Sequence, residues 1–305
     1  MTTEIIKARD PTGLQQLFSW DQLIDRFISS LDTKPPTIEL YRKALSYFFR
    51  GLNMPPSRQA ILDYKHALEQ RKLRSYTINA YLTAIRQFFA WLEAESGFPN
   101  PAKSIKGLKQ KDQSKDALTG VQCRQLLDSV ILNGAMSRRD YAILNLMLRT
   151  GLRTIEISRA NIGDIQTQDG AFILWVQGKG RDEKDRFVLL TPEAHEPILD
   201  YISSRGTLHA ENPLFVSHSK HHAGHRLSTR SLRKMTSKYL KKAGLKSDRI
   251  SAHSLRHTFV TLAIEGGATL PQVQASARHV SPQTTMRYFH NRDRIKNAAE
   301  KVIKF

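Results

Sequence analysis

Hydrophobic residues recur at helical spacing through the N-terminal part of the chain. From Ser19 to Phe98 they return every three or four positions in four successive segments, and prolines and serines that can cap a helix stand between the segments. The inward positions are Trp20, Leu23, Ile24, Phe27 and Ile28, then Leu40, Tyr41, Leu45, Phe48 and Phe49, then Ile61, Tyr64 and Leu68, and finally Ile78, Tyr81, Leu82, Ile85, Phe88, Phe89 and Leu92. We therefore predict an all-α domain over residues 19–98, after a short polar lead over residues 1–18.

The pattern changes between residues 99 and 117. Prolines open this stretch, and its basic residues are Lys103, Lys106, Lys109, Lys111 and Lys115. Nothing in it is apolar and periodic enough to pack, so we predict a basic interdomain linker. Two interpretations of its lysines stay open: they lie along a phosphate backbone, or they belong to an ordinary solvated tether.

A second domain with a different pattern is predicted over residues 118–305. An amphipathic helix in its first part ends at Gly151, which supplies the left-handed residue that closes a helix. Alternating apolar positions then predict two strands, 172–176 and 187–190, on either side of a turn at residues 178–181. Further helical segments follow. The predicted fold class is therefore mainly α with a small β-hairpin (α+β).

Composition favours an anionic polymer as partner. The chain has 47 lysines and arginines against 28 acidic residues, a formal net charge of +19. Charge does not separate nucleic acid from an anionic membrane, but no apolar run approaches bilayer-spanning length and Met1 to Arg9 has no apolar signal core. We expect a soluble, cytoplasmic protein without membrane contact. The single cysteine, Cys123, excludes an internal disulfide, and its helical context favours a packed residue.

Residues able to carry chemistry gather near the C-terminus. His253 and Arg256 lie at i and i+3 of a predicted helix, so they share a face. His279 and Tyr288 follow, and Arg153 comes upstream on the turn that ends the first helix of the second domain. A tyrosine can supply a nucleophile, and planar guanidinium groups match phosphate oxygens and stay charged. This set suffices to break a DNA phosphodiester by covalent attack without a metal.

Four motifs in this order resemble the tyrosine recombinase, or phage integrase, family. They are Thr150-Gly151-Leu152-Arg153 with Glu156, Gly178-Lys179-Gly180, His253 with Arg256-His257, and His279 with Tyr288. The resemblance covers nearly the whole chain, whose size is similar to that of compact Xer-like members. It implies an all-α core-binding domain and a mixed catalytic domain. It also implies a site-specific recombinase that cuts and rejoins DNA through a 3′-phosphotyrosine and a four-way junction, without metal, ATP or another cofactor.

The resemblance assigns the phosphate chemistry to four residues. Arg153 and Arg256 would bind the scissile phosphate, Tyr288 would attack it, and the 5′-hydroxyl would leave. His279 would donate a hydrogen bond to the phosphate oxygens. A phenol with a pKa of about 10 is a better nucleophile and leaving group than an alkoxide, so both attack and religation can proceed.

Proton transfer and orientation are assigned by the same resemblance. Lys179, on the turn of the hairpin, would be the general acid for the leaving oxygen. His253 would help in proton transfer with the attacking tyrosine, and Glu156 would orient the site rather than react. His257 is expected to point elsewhere and to pack or bond locally.

The motif around His279 departs from the family pattern. The family commonly has Leu-Gly before this histidine, whereas Ala277-Arg278 precede it here. Two interpretations stay open for Arg278: an additional phosphate contact, or a side chain that points to solvent. The histidine and its spacing to Tyr288 are intact.

The partners are also implied by the resemblance. They are double-stranded DNA with an inverted-repeat core site, a homotetramer on synapsed DNA formed through exchange of the C-terminal tail, and accessory DNA-bending proteins. The tail, residues 289–305, carries an apolar stripe that docks either on a neighbouring protomer or on its own domain: Ile295, Val302, Ile303 and Phe305. The basic residues expected to face DNA, or otherwise to form a solvated face, are Arg42, Lys43, Arg74, Arg86, Lys106 and Lys109.

Three other classes of DNA-binding protein would share some of these features. A type IB topoisomerase would share the arginine, lysine, histidine and tyrosine chemistry but would relax DNA as a monomer. A non-catalytic DNA-binding regulator would explain the charge and leave the assembled site unexplained, while a metal-dependent transposase needs clustered carboxylates. A separate histidine cluster fits a polar loop better than a zinc site, because no helix constrains it and no carboxylate is nearby. It comprises His218, His221, His222 and His225.

Overall fold

The chain divides into two units, Met1–Gln113 and Ser114–Phe305. The structure is a computed structural model that describes residues 19–50, 52, 56–109, 116–178, 180–279, 281–286, 288 and 303. It is mainly helical with a small antiparallel sheet, which confirms the predicted fold class.

Four helices form the described part of the first unit: α1 (Trp20–Ser29), α2 (Pro35–Arg50), α3 (Arg58–Gln70) and α4 (Ser75–Ser96). Ser19 caps α1, since its hydroxyl accepts from the Gln22 backbone and the Gln22 side chain accepts from the Ser19 backbone. Most of the predicted inward positions are buried, whereas Trp20, Leu40, Tyr41 and Tyr64 are partly buried. Phenylalanine rings dominate the centre of this core: Phe27, Phe48, Phe49, Phe88 and Phe89. Because each helix buries one apolar stripe, the four helices share one core.

Residues 98–109 are packed on this helical unit. Phe98, Ala102 and Ile105 are buried in its core. The amide of Asn79 on α4 brackets Leu108, accepting from its backbone N–H at 2.7 Å and donating to its carbonyl at 2.9 Å. The expectation that nothing in the basic segment packs is therefore wrong for this part. Three apolar residues spaced three or four apart are enough when the neighbouring surface is already apolar.

The second unit begins with helices and a short 3₁₀ turn and then forms its sheet. The elements are α5 (Gly120–Asp128), α6 (Ala135–Thr150), α7 (Thr154–Arg159), the 3₁₀ turn Ile162–Asp164, β1 (Ile165–Gln168), β2 (Ala171–Val176), β3 (Arg186–Leu190), α8 (Pro192–Ser203), α9 (Thr229–Lys242), α10 (Ala252–Glu265) and α11 (Leu270–Ala277). Residues 282–286 are also helical. The helix α6 is buried along most of its length and is central to the core.

The sheet has three described strands in the order β1-β2-β3, all antiparallel. Its β2–β3 hairpin pairs Trp175 with Phe187 and Leu174 with Val188. The sequence predicted this hairpin and missed β1, which pairs Ile165 with Leu174. Three of the four residues in β1 are polar, so the strand follows from pairing with β2 rather than from its own hydrophobic pattern.

Two local expectations in the second unit are confirmed. Gly151 ends α6 with φ +62°, and its N–H donates to the carbonyl of Met147. Cys123 is buried in α5, and burial raises the pKa of its thiol to about 11. Within the described ranges, no helix combines the length and the apolar character needed to cross a bilayer.

Candidate active site

The turn between α6 and α7 positions the first arginine. Leu152 is buried after Gly151, and Arg153 is extended (φ −76°, ψ 152°) at the start of α7. The carboxylate of Glu156 accepts a hydrogen bond from the backbone N–H of Arg153 at 2.8 Å and another from the Arg153 guanidinium group at 3.0 Å. Glu156 is 1% exposed, whereas the Arg153 side chain is 31% exposed. The carboxylate therefore orients a guanidinium that keeps an open side.

The second arginine, Arg256, lies on α10 and joins two helix ends. It is 3% exposed, donates to the carbonyl of Gly151 at 2.7 Å and also bonds to the carbonyl of Ala277. Burial, followed by the charges of Arg153 and Arg278, lowers its pKa to about 9, so it stays protonated at neutral pH. The two predicted phosphate-binding arginines, 103 positions apart in the sequence, therefore lie close together.

Arg278 occupies the residue that ends α11, with φ +56° in the left-handed region. Its guanidinium donates to Glu156 at 3.1 Å and to the carbonyl of Ser276 at 2.6 Å, while its Nε is buried without a hydrogen-bond partner. The side chain is 4% exposed. The expectation that Arg278 could point to solvent is wrong, because the left-handed turn directs it inward onto the buried carboxylate.

His279 follows directly and is buried. Its Nδ1 shares a hydrogen bond of 2.8 Å with the hydroxyl of Thr285. Burial, followed by the charges of Arg256, Arg153 and Arg278, lowers the pKa of His279 to about 4. The ring is therefore neutral at pH 7, and with Nδ1 bonded to Thr285 its Nε2 is the nitrogen left for a phosphate oxygen.

Tyr288 packs against a small cluster formed by α10 and α11, and its hydroxyl is hydrogen-bonded to Nδ1 of His257. Burial raises the pKa of Tyr288 to about 12, although Arg256 opposes the rise. The phenol is therefore protonated at rest. The expectation that His257 points elsewhere is wrong. His253 and His257 are four residues apart, hence on one face of α10, with ring centres 4.8 Å apart.

His253 is exposed at the start of α10, and His257, half-buried one turn later, is the histidine at the tyrosine oxygen. Sequence reasoning missed this role of His257. The signal that could have found it is the i, i+4 spacing of the two histidines, which places both on one face of the helix.

A pocket of about 220 Å³ opens beside these groups. The described residues that line it are Arg153, Glu156, Val176, Gly178, Arg181, Arg186 and Arg278. Arg181 and Arg186 come from the β2–β3 hairpin and were not singled out in the sequence. Lys179 lies outside the described residues. Its neighbour Gly178 is in the pocket wall, and the excess of arginines makes the pocket suited to an anion.

Three basic residues of the helical unit lie on its surface. Arg42 is exposed and forms an ion pair with Asp25. The ammonium of Lys43 lies 5.7 Å from the ring centre of Tyr47, and Arg74 is exposed at the start of α4. Their contact with DNA stays a prediction.

Arg86 differs from these residues, because it is partly buried. It donates to the carbonyl of Leu82 at 3.3 Å and to the carbonyl of Ile105 at 3.5 Å. The bond to Ile105 attaches residues 98–109 to α4, a structural role that the sequence did not indicate. Lys106 and Lys109 are exposed on that segment, and their contact with DNA also stays a prediction.

The histidine cluster of residues 218–225 does not converge. His218 shares a hydrogen bond of 3.3 Å with the hydroxyl of Tyr201, and the rings of His222 and His225 lie 5.9 Å apart. Within the part of the chain that the structure describes, no three His, Cys, Asp or Glu side chains are arranged to hold a metal ion.

Comparison with known proteins places this site in a family. The profile of the phage integrase family matches residues 116–294. The chain is 33% identical over 280 residues to the tyrosine recombinase XerC of Pelobacter propionicus, covering 88% of this chain and 89% of the relative. It is 29% identical over 265 residues to the tyrosine recombinase XerC of Thermodesulfovibrio yellowstonii, covering 83% and 85%.

The fold is similar to that of the XerH site-specific recombinase, solved in a post-cleavage complex with its palindromic difH substrate. The TM-score is 0.72 at 21% identity, covering 94% of this chain and 86% of that one. Fold, family profile and relatives agree. The chain belongs to the phage integrase family and is a tyrosine recombinase, an enzyme that cleaves and rejoins DNA.

Proposed function

We propose that Tyr288 is the nucleophile and that it attacks a DNA phosphate bound by Arg153 and Arg256. A bond forms between the tyrosine oxygen and phosphorus, and the bond from phosphorus to the 5′ oxygen breaks. The product is a 3′-phosphotyrosine and a free 5′-hydroxyl. The observation that carries the proposal is the bond between Arg256 and the carbonyl of Gly151, because it brings both arginines beside the helix that also carries His257, the partner of Tyr288.

Proton transfer follows from the resting state of Tyr288. Its raised pKa means that the phenol must lose its proton as the new bond forms. His257 is hydrogen-bonded to that oxygen and accepts the proton, a role that the family resemblance had assigned to His253. Lys179 donates a proton to the leaving 5′ oxygen. Reversal of both transfers lets a 5′-hydroxyl of another strand attack and rejoin the DNA.

His279 and Glu156 support the phosphate. Neutral His279 donates from Nε2 to a non-bridging oxygen, while Glu156 orients Arg153. The reaction needs no metal ion, because the arginines neutralise the charge that develops on the phosphate oxygens. Addition of EDTA should accordingly leave the yield of covalent product unchanged.

The target is proposed to be double-stranded DNA with an inverted-repeat core site. The formal charge of +19 and the exposed basic residues of the helical unit support binding to a duplex. Recombination would proceed through a four-way junction in a homotetramer on two synapsed sites, with accessory DNA-bending proteins. The apolar tail positions Ile295, Val302 and Phe305 lie outside the described residues, and Ile303 is 59% exposed. We propose that this tail docks on the neighbouring protomer.

Covalent capture tests this function. The wild-type protein is incubated with sheared genomic DNA, denatured with detergent, and the attached fragments are sequenced. Tyr288→Phe should bind DNA nearly normally and capture nothing, since only the attacking oxygen is lost. A detergent-resistant adduct of undiminished yield would remove Tyr288 from the mechanism. Synapsis of two captured sites in a native gel separates a recombinase from a topoisomerase that acts as a monomer.

A further inference from the structure

The described part of the active site contains more buried positive charge than the carboxylate beside it can neutralise. Three guanidinium groups, those of Arg153, Arg256 and Arg278, surround Glu156. The side-chain hydrogen bonds of Arg256 go to the main-chain carbonyls of Gly151 and Ala277 and not to Glu156. Arg153 and Arg278 therefore share one carboxylate, whose single negative charge can neutralise only one of the two guanidinium groups.

The hydrogen bonds show how the carboxylate is divided. Oε1 of Glu156 accepts from the guanidinium of Arg153 at 3.0 Å, while Oε2 accepts from the Arg153 backbone at 2.8 Å and from Arg278 at 3.1 Å. The pair between Arg278 and Glu156 is the more buried one, with side chains 4% and 1% exposed. Arg153 is 31% exposed, so its attraction to Glu156 is screened more strongly by solvent.

The lowered pKa of Glu156 is consistent with Arg278 as the main ion-pair partner of this carboxylate. Burial raises its pKa, but Arg278 makes the largest opposing contribution, ahead of the bonds and charge of Arg153, and the pKa is lowered overall. Arg278 provides this charge from the left-handed conformation that ends α11, which any side chain adopts at a cost and glycine adopts freely. The position thus suits glycine locally, and the arginine is explained by its contact with Glu156.

We infer that Arg278 is a positioning residue: by neutralising Glu156 it leaves the guanidinium charge of Arg153 for the scissile phosphate. This inference rests on the proposed binding of that phosphate by Arg153 and Arg256. Glu156 keeps its orienting bonds to Arg153 without cancelling the charge of Arg153. Removal of Arg278 would make the carboxylate compete with the phosphate for the same guanidinium.

Charge balance indicates why this matters for the reaction. The three arginines and Glu156 together carry two positive charges in excess. A phosphodiester brings one negative charge, and the five-coordinate transition state brings two. These four groups by themselves therefore balance the charge of the transition state and leave one positive charge in excess over that of the substrate. Such a site stabilises the transition state more than the ground state.

A double-mutant cycle tests the inference with inorganic phosphate as probe. The dissociation constant is obtained from the rise in melting temperature with phosphate at constant ionic strength. The variants are Arg278→Met, Glu156→Gln and the double variant. Arg278→Lys is the conservative variant, and Arg233→Met removes an exposed charge from α9 as a matched control. Phosphate binding does not require Tyr288, so failure of the nucleophile proposal would leave this test intact.

We expect Arg278→Met to weaken phosphate binding about tenfold, a coupling typical of residues in one ion-pair network. In the Glu156→Gln background the same substitution should cost less than about twofold, because no carboxylate charge is left to compete. Arg278→Lys should recover most of the affinity, and Arg233→Met should match the wild type. An equal loss in both backgrounds would mean that Arg278 contacts the phosphate itself, and no loss in either would mean that it only packs; each overturns the inference.

Stability is separated from binding by a second variant. Arg278→Gly relieves the left-handed backbone conformation, so it should fold at least as well as Arg278→Met. It should nevertheless show the same tenfold loss of phosphate affinity and a lower single-turnover cleavage rate on captured DNA. Wild-type affinity in Arg278→Gly would contradict the inference even if Arg278→Met fails to fold.

Discussion

The hydroxyl of Tyr288 is hydrogen-bonded to Nδ1 of His257, one helical turn beyond the histidine to which the motif spacing pointed. Burial raises the pKa of this phenol to about 12, so the hydroxyl needs a base before it can attack. The histidine in contact is the first group able to take the proton. His253 lies nearer the exposed start of α10.

His257→Asn should slow covalent attachment to DNA by about 10² to 10⁴-fold, the usual contribution of a positioned base. The amide oxygen of asparagine can still accept the tyrosine hydrogen bond, but it cannot accept the proton. The rate is measured in a single turnover as the amount of detergent-resistant complex formed with time. His253→Asn, on the same helix face, is the matched control and should lose less than about tenfold. The opposite order of the two variants would return the proton-accepting role to His253.

The family resemblance did not indicate how the site residues contact one another, although it named five that the structure brings together: Arg153, Glu156, Arg256, His279 and Tyr288. The end of α6 at Gly151 and the β2–β3 hairpin could be predicted from local patterns. A left-handed glycine and alternating apolar residues each determine structure within a few positions. The contact between His257 and Tyr288 spans 31 residues and depends on packing of the last helices on α10. The inward turn of Arg278 depends on a carboxylate 122 residues earlier. Spacing alone carries no information on such distant pairs.

The packing of the segment after α4 could not be predicted from its sequence either. Its lysines dominate its composition, and its few apolar residues looked too sparse to pack. Ile105 is nevertheless buried, because α4 presents an apolar groove next to it and Asn79 bonds to Leu108. The energy of burial depends on the surface that receives a side chain, and this surface is not visible in the segment itself.

Gly151→Ala should destabilise the second unit and impair DNA cleavage. An added Cβ would lie 2.5 Å from Cδ1 of Phe259, and φ is +62°. Left-handed backbone costs an L-residue roughly 1–2 kcal/mol, and the contact adds to it, so we expect the melting temperature to fall by several degrees. Arg256 bonds to this glycine carbonyl, hence cleavage should fall as well.

Gly120→Ala is the control for this substitution. A Cβ there meets no atom within 4 Å, and Gly120 is the first residue of α5. The control should leave both the melting temperature and cleavage near wild type. A Gly151→Ala protein as stable as the control would show that the turn tolerates a side chain and that Arg256 does not depend on its geometry.

His279 should make the protein sensitive to mild acid. Its pKa is about 4 in the folded protein, below the ordinary value of 6.5, so the unfolded chain binds the extra proton between these values. The stability contribution is complete above pH 6.5 and is lost as the pH falls toward 4. A shift of this size corresponds to about 3 kcal/mol. The free energy of unfolding, measured by urea titration at pH 7.5, 6 and 5, should fall by about 2 kcal/mol over this range, and the rest of the loss lies below pH 5.

His279→Asn isolates this effect. Asparagine keeps a polar group near Thr285 and cannot be protonated, so the difference in stability between variant and wild type should narrow as the pH falls from 7.5 to 5. His195 and His218 also have lowered pKa values, because both are partly desolvated, and Glu156 acts in the same direction at lower pH. These groups are present in both proteins and cancel in the comparison. A constant difference across the pH range would show that His279 does not titrate with folding.

Lys179→Ala should slow cleavage of an ordinary phosphodiester strongly, about 10² to 10⁴-fold if the lysine is a general acid. The lysine itself lies outside the described residues, but the adjacent Gly178 lines the arginine-rich pocket with Arg153 and Arg181, so the turn between the strands is next to the phosphate site. A substrate whose 5′-bridging oxygen is replaced by sulfur should be cleaved by Lys179→Ala at nearly the wild-type rate, because a thiolate leaves without a proton. Lys234→Ala, an exposed lysine on α9, should cleave both substrates normally. Equal slowing of Lys179→Ala on the oxygen and sulfur substrates would mean that the lysine binds DNA and does not supply the proton.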